Sequence, residues 1–409
     1  MFDFIRPLDR RQRFLLYASF YGFFCNGMLS LLMGSVMPDL KAAYGLTDTV
    51  SGVFLSAHSA GNLIAGFISG LVPLWLGRRR SIMLLASLGM LGYVMMLLFG
   101  NPVWLFMAFL FVGMGRGSVT NFTNRMVNRL SGGSPAATNL LHSAFAVGAI
   151  LTPAVFLTLR TSVSWQAGVV FVAVCILLSV TNYSRMNMED DRPARSDKQN
   201  STLRFMKDPS FLTLAMMMFC YLCSEYAING WLVTYVQHKE SLLAALAASG
   251  SSLAAYSQMM ATLLWGVMLV GRLICAVLSM KISQRLLMFV SSVGMAAFFL
   301  LMLMSETTPM LTLSVAGLGL CMAGICPMIY SDAAYYTNTY PMATSALLAI
   351  GSAGAIAMPT IVGSLAERLG FGGGMSAILV TIVLLVVFSG INQARKRDYE
   401  REARGAKPC

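Results

Sequence analysis

The chain has 409 residues, of which 57% are hydrophobic and only 11% charged, and its mean hydropathy is +0.69. Soluble domains carry about 25% charged residues, so this composition excludes one and defines an integral membrane protein. A net charge of +12 would suit a nucleic-acid partner, but the basic residues collect at the ends of apolar runs on one side of the expected membrane, which excludes that reading.

A helix needs about 20 apolar residues to cross the hydrocarbon core. Twelve such runs begin near Phe14, Asp48, Arg80, Pro102, Ala137, Ser164, Ser210, Ala255, Arg285, Pro309, Met342 and Gly374. Ahead of them, FDFIRPLDRRQRF is short and basic and reads as an interfacial anchor. It is not the start of a cleaved signal, because the run that follows is long and has no small-residue cleavage pattern. The first run reaches Pro38 and holds Asn26 and Ser30 but no charge. The second holds His58 and Asn62, one turn apart and so on one helix face. It ends in GLVPLWLGRRRS. The fourth, GMGRGSVTNFTNRMVNRL, carries Arg116 between two glycines, then Asn121 and Asn124.

The fifth run contains ATNLLHSAFAVGAILTP, from Ala137 to Pro153, and its framework returns downstream as ATSALLAIGSAGAIAMP, from Ala343 to Pro359. Gly148 matches Gly354 and Pro153 matches Pro359, each 206 residues apart, and Arg79 meets Arg285 at the same spacing. One spacing shared by separated segments means a duplicated half. The one long polar interruption, Arg185 to Pro209, falls between the halves and reads as a linker. The expected fold is therefore all-α and membrane-integral, with twelve transmembrane helices in two six-helix bundles. Residues 1–184 form the first bundle, 185–209 a cytoplasmic linker, 210–393 the second bundle and 394–409 a cytoplasmic tail. With the N-terminus placed inside, 23 of the 29 basic residues lie on the cytoplasmic side. Lys41, Arg160, Lys239 and Arg368 lie outside, and Arg116 and Arg272 lie within runs. That asymmetry is the signature of retained basic loops and puts both termini in the cytoplasm. The expected location is the plasma (inner) membrane.

A charge inside a span costs about 2.5–3.5 kcal/mol on insertion scales, so one that is retained usually faces a cavity or a partner. Glu225, in YLCSEYAINGWLVTYV, is the carboxylate expected near the midplane, about 22 Å from the cytoplasmic end at 1.5 Å per residue. It is the candidate proton-coupling group. Arg272, in GVMLVGRLICAV, is expected at about 12 Å depth, so a Glu225 to Arg272 pair must close an axial gap of roughly 10 Å. Arg272, Arg116 and Asp332 are the candidate charge partners or gates, with Arg116 open to an anionic group of a substrate. Asn26, His58, Asn62, Asn121, Asn124 and Asn229 are candidates to hydrogen-bond a polar substrate, though buried amides also bridge helices. Trp231 and Tyr226, with Trp265 and Tyr330, are candidates to stack on a sugar face or simply to pack.

Seven cysteines sit within runs, so no disulfide framework is expected. The Cys220 and Cys223 pair reads as packing rather than redox chemistry. No Walker loop or hydrolase motif is present, so neither an enzyme nor a cofactor or metal is expected.

GLVPLWLGRRRS resembles the signature loop between spans two and three of the major facilitator superfamily at Gly70, Gly77, Arg78 and Arg79. Leu74 and Trp75 replace that loop's usual aspartate and arginine. NLLHSAFAVGAILTP is similar to the span-five signature of the fucose and glucose permease-like branch. Glu225, Trp231 and Tyr235 with Gly271 and Arg272 are similar to that branch's seventh and eighth spans. Gly34 and Ser118 stand where fucose-type symporters carry acids, so those positions supply no proton coupling here. The resemblance implies a monomeric, proton-driven secondary transporter of a small polar solute, such as a sugar or sugar derivative, working by alternating access. Proton-driven efflux of amphipathic compounds, or a non-transporting membrane receptor or scaffold, are the alternatives.

Overall fold

The structure, a computed structural model, describes residues 5–6, 8–132, 135–185, 203–248, 250–279, 281–340 and 342–395. Most of the 185–209 linker and the tail beyond 395 lie outside the described residues. The first half supplies α1 (Arg10–Tyr44), α2 (48–76), α3 (78–98), α4 (Pro102–Leu130), α5 (Pro135–Ser162) and α6 (Trp165–Arg185). The second supplies α7 (Pro209–Gln237), α8 (Leu253–Leu278), α9 (Gln284–Met304), α10 (Thr308–Asp332), α11 (343–369) and α12 (371–394). Helix α10 is interrupted at Ala323 and Gly324.

Ten helical segments carry the twelve expected runs, because two segments each hold two spans. The Asp48–Leu98 segment turns at Gly77 (φ 74°, ψ 162°) and the Ala343–Ala394 segment at Gly370 (φ 74°, ψ 168°). Side-chain-bearing residues pay a steric penalty at such a φ, and glycine does not. The chain therefore reverses at one residue in each case. Caps mark other starts: Asp9 forms a reciprocal capping box with Gln12 at α1, and Asn101, Asp208, Ser252 and Ser283 cap α4, α7, α8 and α9. Each side-chain oxygen takes up a backbone N–H that the first turn leaves unpaired.

The repeated glycines do the same work in each half. A Cβ on Gly148 would lie 2.1 Å from the Phe24 carbonyl oxygen, and one on Gly354 would lie 2.6 Å from that of Phe219. Helix α5 thus rests directly on α1, and α11 on α7, which is how small residues join helices where lipid removes the hydrophobic drive. Many hydroxyls inside the spans bond to the preceding turn, as in Ser19 to the Leu15 carbonyl, Thr152 to Gly148 and Ser292 to Met288. The outward surface is apolar, with Val290, Leu313 and Val380 more than half exposed. Such a perimeter is stable against acyl chains and would aggregate in water.

Arg13, Arg79, Arg125, Arg185, Lys281, Arg285 and Arg395 lie at helix ends on one side, here termed the basic face. On the opposite face the halves are clasped together. Thr49 donates to Glu367 at 2.5 Å, Ser56 meets Thr360 at 2.7 Å and Gln258 donates to the Ser35 carbonyl at 3.0 Å. Lys41 pairs with Asp48 and stands over the Phe371 ring, while Arg160 holds Asp39 at 2.8 Å. Lys239, between α7 and α8, donates to the Ser305 and Leu303 carbonyls, and burial lowers its affinity for a proton.

Candidate functional site: a charged cavity between the halves

Helices α1, α2, α4, α7 and α8 enclose a cavity of about 130 Å³ midway along the bundle. Its polar lining is Ser30, His58, Ser59, Arg116, Glu225, Tyr226, Asn229 and Trp265. Helical spacing explains the α7 contribution, because Leu222, Glu225, Tyr226 and Asn229 fall on one face at steps of three and four. Opposite them, Gly34 leaves α1 against the Asn229 carbonyl, with a virtual Cβ at 2.3 Å.

Arg116 reaches across from the first half to the second. Its Nε donates to Ser30 Oγ at 2.6 Å and its Nη1 to the Tyr226 hydroxyl at 2.7 Å. The guanidinium also stands over the Tyr226 and Phe145 rings, 5.6 and 6.0 Å from their centroids. Asn26 does not line the cavity but sets α4 beside α1, donating through Nδ2 to the Arg116 carbonyl at 3.2 Å and to Thr120 Oγ1 at 2.8 Å. Ser30 lies one turn beyond Asn26 on the same face, which is the signal by which the sequence offers it as a second contact.

Glu225 lies within electrostatic reach of Arg272 and then of Arg116. Tyr221, which donates to the Met322 carbonyl at 3.2 Å, stands beside the carboxylate. No ion pair closer than 4.0 Å joins Glu225 to either arginine among the described residues. Arg272 instead stands over Trp265, 6.0 Å from the ring centroid, with a buried Nε that has no hydrogen-bond partner. Trp265 Nε1 donates to Asn229 Oδ1 at 3.0 Å, and its ring meets Phe145 of the other half at 5.6 Å. His58 is 6% exposed, lines the cavity and has an unpartnered Nε2.

Other expected contacts lie elsewhere. Trp231 is fully buried in the second half, where its Nε1 donates to the Pro359 carbonyl at 3.0 Å. Asn62 packs against Gly117 at the α2–α4 crossing. Asn121 donates to Ser69, which lines a separate cavity of about 390 Å³ at the basic face with Arg78, Arg125 and Arg129. Asn124 donates to the Thr120 carbonyl. Asp332 lies at the basic face, where Arg285 Nε is at 3.4 Å and Asn392 Nδ2 donates at 2.8 Å, tying together the ends of α9, α10 and α12.

Two packed halves with a charged cavity between them and a clasp on one side define a membrane transporter rather than an enzyme. Residues 19–266 match the model of the Major Facilitator Superfamily. The chain belongs to that superfamily and is a transporter of its alternating-access type. It is 23% identical over 390 residues to the membrane protein MosC of Rhizobium meliloti, covering 92% of this chain and 90% of that one. Among solved structures, a bacterial homologue of the human lysosomal transporter Spinster, inward-facing and unoccupied, aligns with a TM-score of 0.75 at 14% identity. That alignment covers 94% of this chain and 97% of the homologue. The nucleoside transporter NupG aligns with a TM-score of 0.71 at 12% identity over 94% and 99% of the two chains. The peptide transporter POT, in complex with sulfate, aligns with a TM-score of 0.72 at 15% identity over 92% and 94%.

Proposed function

We propose that the chain is a proton-coupled secondary transporter of a small hydroxylated solute, a sugar or sugar derivative, in the cytoplasmic membrane. The observation that carries this reading is the central cavity, where one mid-helix carboxylate, Glu225, shares the lining with His58, Asn229, Tyr226 and Trp265. Side-chain amides and hydroxyls there suit hydroxyl groups, and the flat rings of Tyr226 and Trp265 suit the apolar face of a sugar. At about 130 Å³ the space is smaller than the roughly 300–1,000 Å³ of pockets for drug-sized ligands, which favours a solute of monosaccharide size over a bulky amphipath. The likeness of α5, α7 and α8 to the fucose and glucose permease-like branch supports the same reading.

Glu225 carries the coupling proton. Alternating access opens the midplane to each side in turn, so a carboxylate there gains its proton from one compartment and loses it to the other. The basic face is cytoplasmic by its excess of arginine and lysine, and both termini lie on that side. In this arrangement residues 1–184 and 210–393 are the two moving bundles, working as a monomer, with 185–209 as their cytoplasmic tether and 394–409 as a cytoplasmic tail.

Transport assays in proteoliposomes test the proposal. Glu225→Gln mimics the protonated side chain. The variant is expected to lose pH-driven accumulation of a labelled sugar while keeping counterflow, which needs no net proton release. Undiminished accumulation by the variant refutes Glu225 as the carrier, and absence of counterflow by the wild-type chain refutes the sugar reading.

A further inference from the structure

We propose that the solute carries one anionic group: the cavity is built for a sugar acid, an aldonate or uronate, rather than for a neutral sugar. The inference rests on the sugar reading and narrows it.

Charge is the first ground. Arg116 and Arg272 are the cations at the centre of the bundle, and Glu225 is the one carboxylate lining the cavity. The ionised set therefore leaves one positive charge in excess, between membrane-spanning helices. One bound carboxylate neutralises it. Among the described residues the guanidinium of Arg116 donates to the neutral hydroxyls of Ser30 and Tyr226, and its Nη2 has no acceptor there. Arg272 keeps a buried Nε without an acceptor. An arginine fork of this kind is shaped for two carboxylate oxygens.

The lining's hydrogen-bond inventory is the second ground. Asn229 spends its amide oxygen on Trp265, which leaves its amide N–H groups for the cavity. The Ser30 and Ser59 hydroxyl protons go back to the Asn26 and Leu55 carbonyls. His58 adds a ring nitrogen, more than nine-tenths buried and unpartnered, on the same wall. The strongest groups left facing the space are thus nitrogens that donate, in the Nη2 of Arg116 and the amide of Asn229. Glu225 is the one charged acceptor among them. A solute with more acceptors than donors at one end and hydroxyls at the other fits that imbalance. A neutral polyol can accept a hydrogen bond from Arg116 through a hydroxyl oxygen but brings no charge to balance the guanidinium. A charge inside the bundle is costly when it has no counter-charge.

The test compares matched pairs on the purified full-length protein in lipid nanodiscs by calorimetry: D-glucuronate with D-glucose, D-galacturonate with D-galactose, and D-gluconate with D-glucitol. In at least one pair the acid is expected to bind at least tenfold more tightly than its neutral partner. Arg116→Lys, which keeps the charge and loses the fork, is expected to weaken the acid at least tenfold more than it weakens the neutral partner. A neutral partner that binds as well as its acid overturns the inference and leaves the sugar reading standing. Equal loss of both in Arg116→Lys also overturns it, since the arginine then acts on the fold. Silence of all six probes overturns both readings. The wild-type comparison decides the matter even where the variant fails to fold.

Discussion

Gly52 offers a direct test of the clasp that closes the face opposite the arginines. It lies on α2 against α11, and a Cβ there would sit 2.5 Å from the Pro359 carbonyl oxygen and 2.9 Å from the Thr360 Cα. Both neighbours are backbone, so no side-chain rotation relieves the clash. Ordinary carbon contacts begin near 3.5 Å, and Gly52→Ala therefore pushes the two helices apart by about 1 Å. Overpacking of this size costs about 1–3 kcal/mol. The cost falls on the clasped conformation and vanishes once the halves separate on that side, so the population shifts toward the alternative by roughly 5–150-fold. Ser59, which lines the cavity and is 2% exposed, serves as the reporter. Ser59→Cys in a cysteine-free background should react slowly with an impermeant maleimide supplied on the clasped side, and much faster once Gly52→Ala is added. Gly66→Ala is the control, because Gly66 lies on the same helix with nothing within 4 Å of its virtual Cβ. If Gly52→Ala lowers thermal stability without raising the labelling rate, or if Gly66→Ala raises it equally, the Gly52 contact is not specific to the clasped state and the reasoning fails.

Trp231→Phe removes the bond to the Pro359 carbonyl and should cost about 0.5–1.5 kcal/mol of stability, seen as a lower melting temperature in detergent. Solute affinity should not change, because Trp231 lies outside the cavity lining; reduced affinity at unchanged stability would move the residue into the site. Asn26→Ala removes the bonds to the Arg116 carbonyl and to Thr120 Oγ1 that hold α4 beside α1. It should weaken binding of the solute by about thirtyfold, for two neutral hydrogen bonds at about 1 kcal/mol each; calorimetric affinity equal to wild type would show that α4 keeps its place without the amide.

Much of the architecture was legible in the chain itself. The apolar runs follow from the thickness of the hydrocarbon layer, and every expected run is a helix. The 206-residue repeat exposed Gly148 and Gly354 as equivalent, and both proved to be points where α5 and α11 rest on a neighbouring backbone. Glu225 and Arg116 were marked by cost alone, since a charge in the middle of an apolar run is expensive, and both line the cavity.

What the sequence by itself determined was the number of spans, the duplication and the short set of charged residues that must have company. Tertiary structure alone decided which of the polar residues share one space. Trp231 and Trp265 look alike as sequence, both on apolar helices, yet the first bonds to the Pro359 carbonyl outside the cavity and the second faces the cavity beside Asn229. Glu225 and Arg272 approach without forming an ion pair, and Asp332 turns to Arg285 at the basic face. The physical reason is that hydropathy constrains a helix only along the membrane normal. Its rotation about its own axis is set by the neighbours it packs against, and those neighbours come from distant parts of the chain.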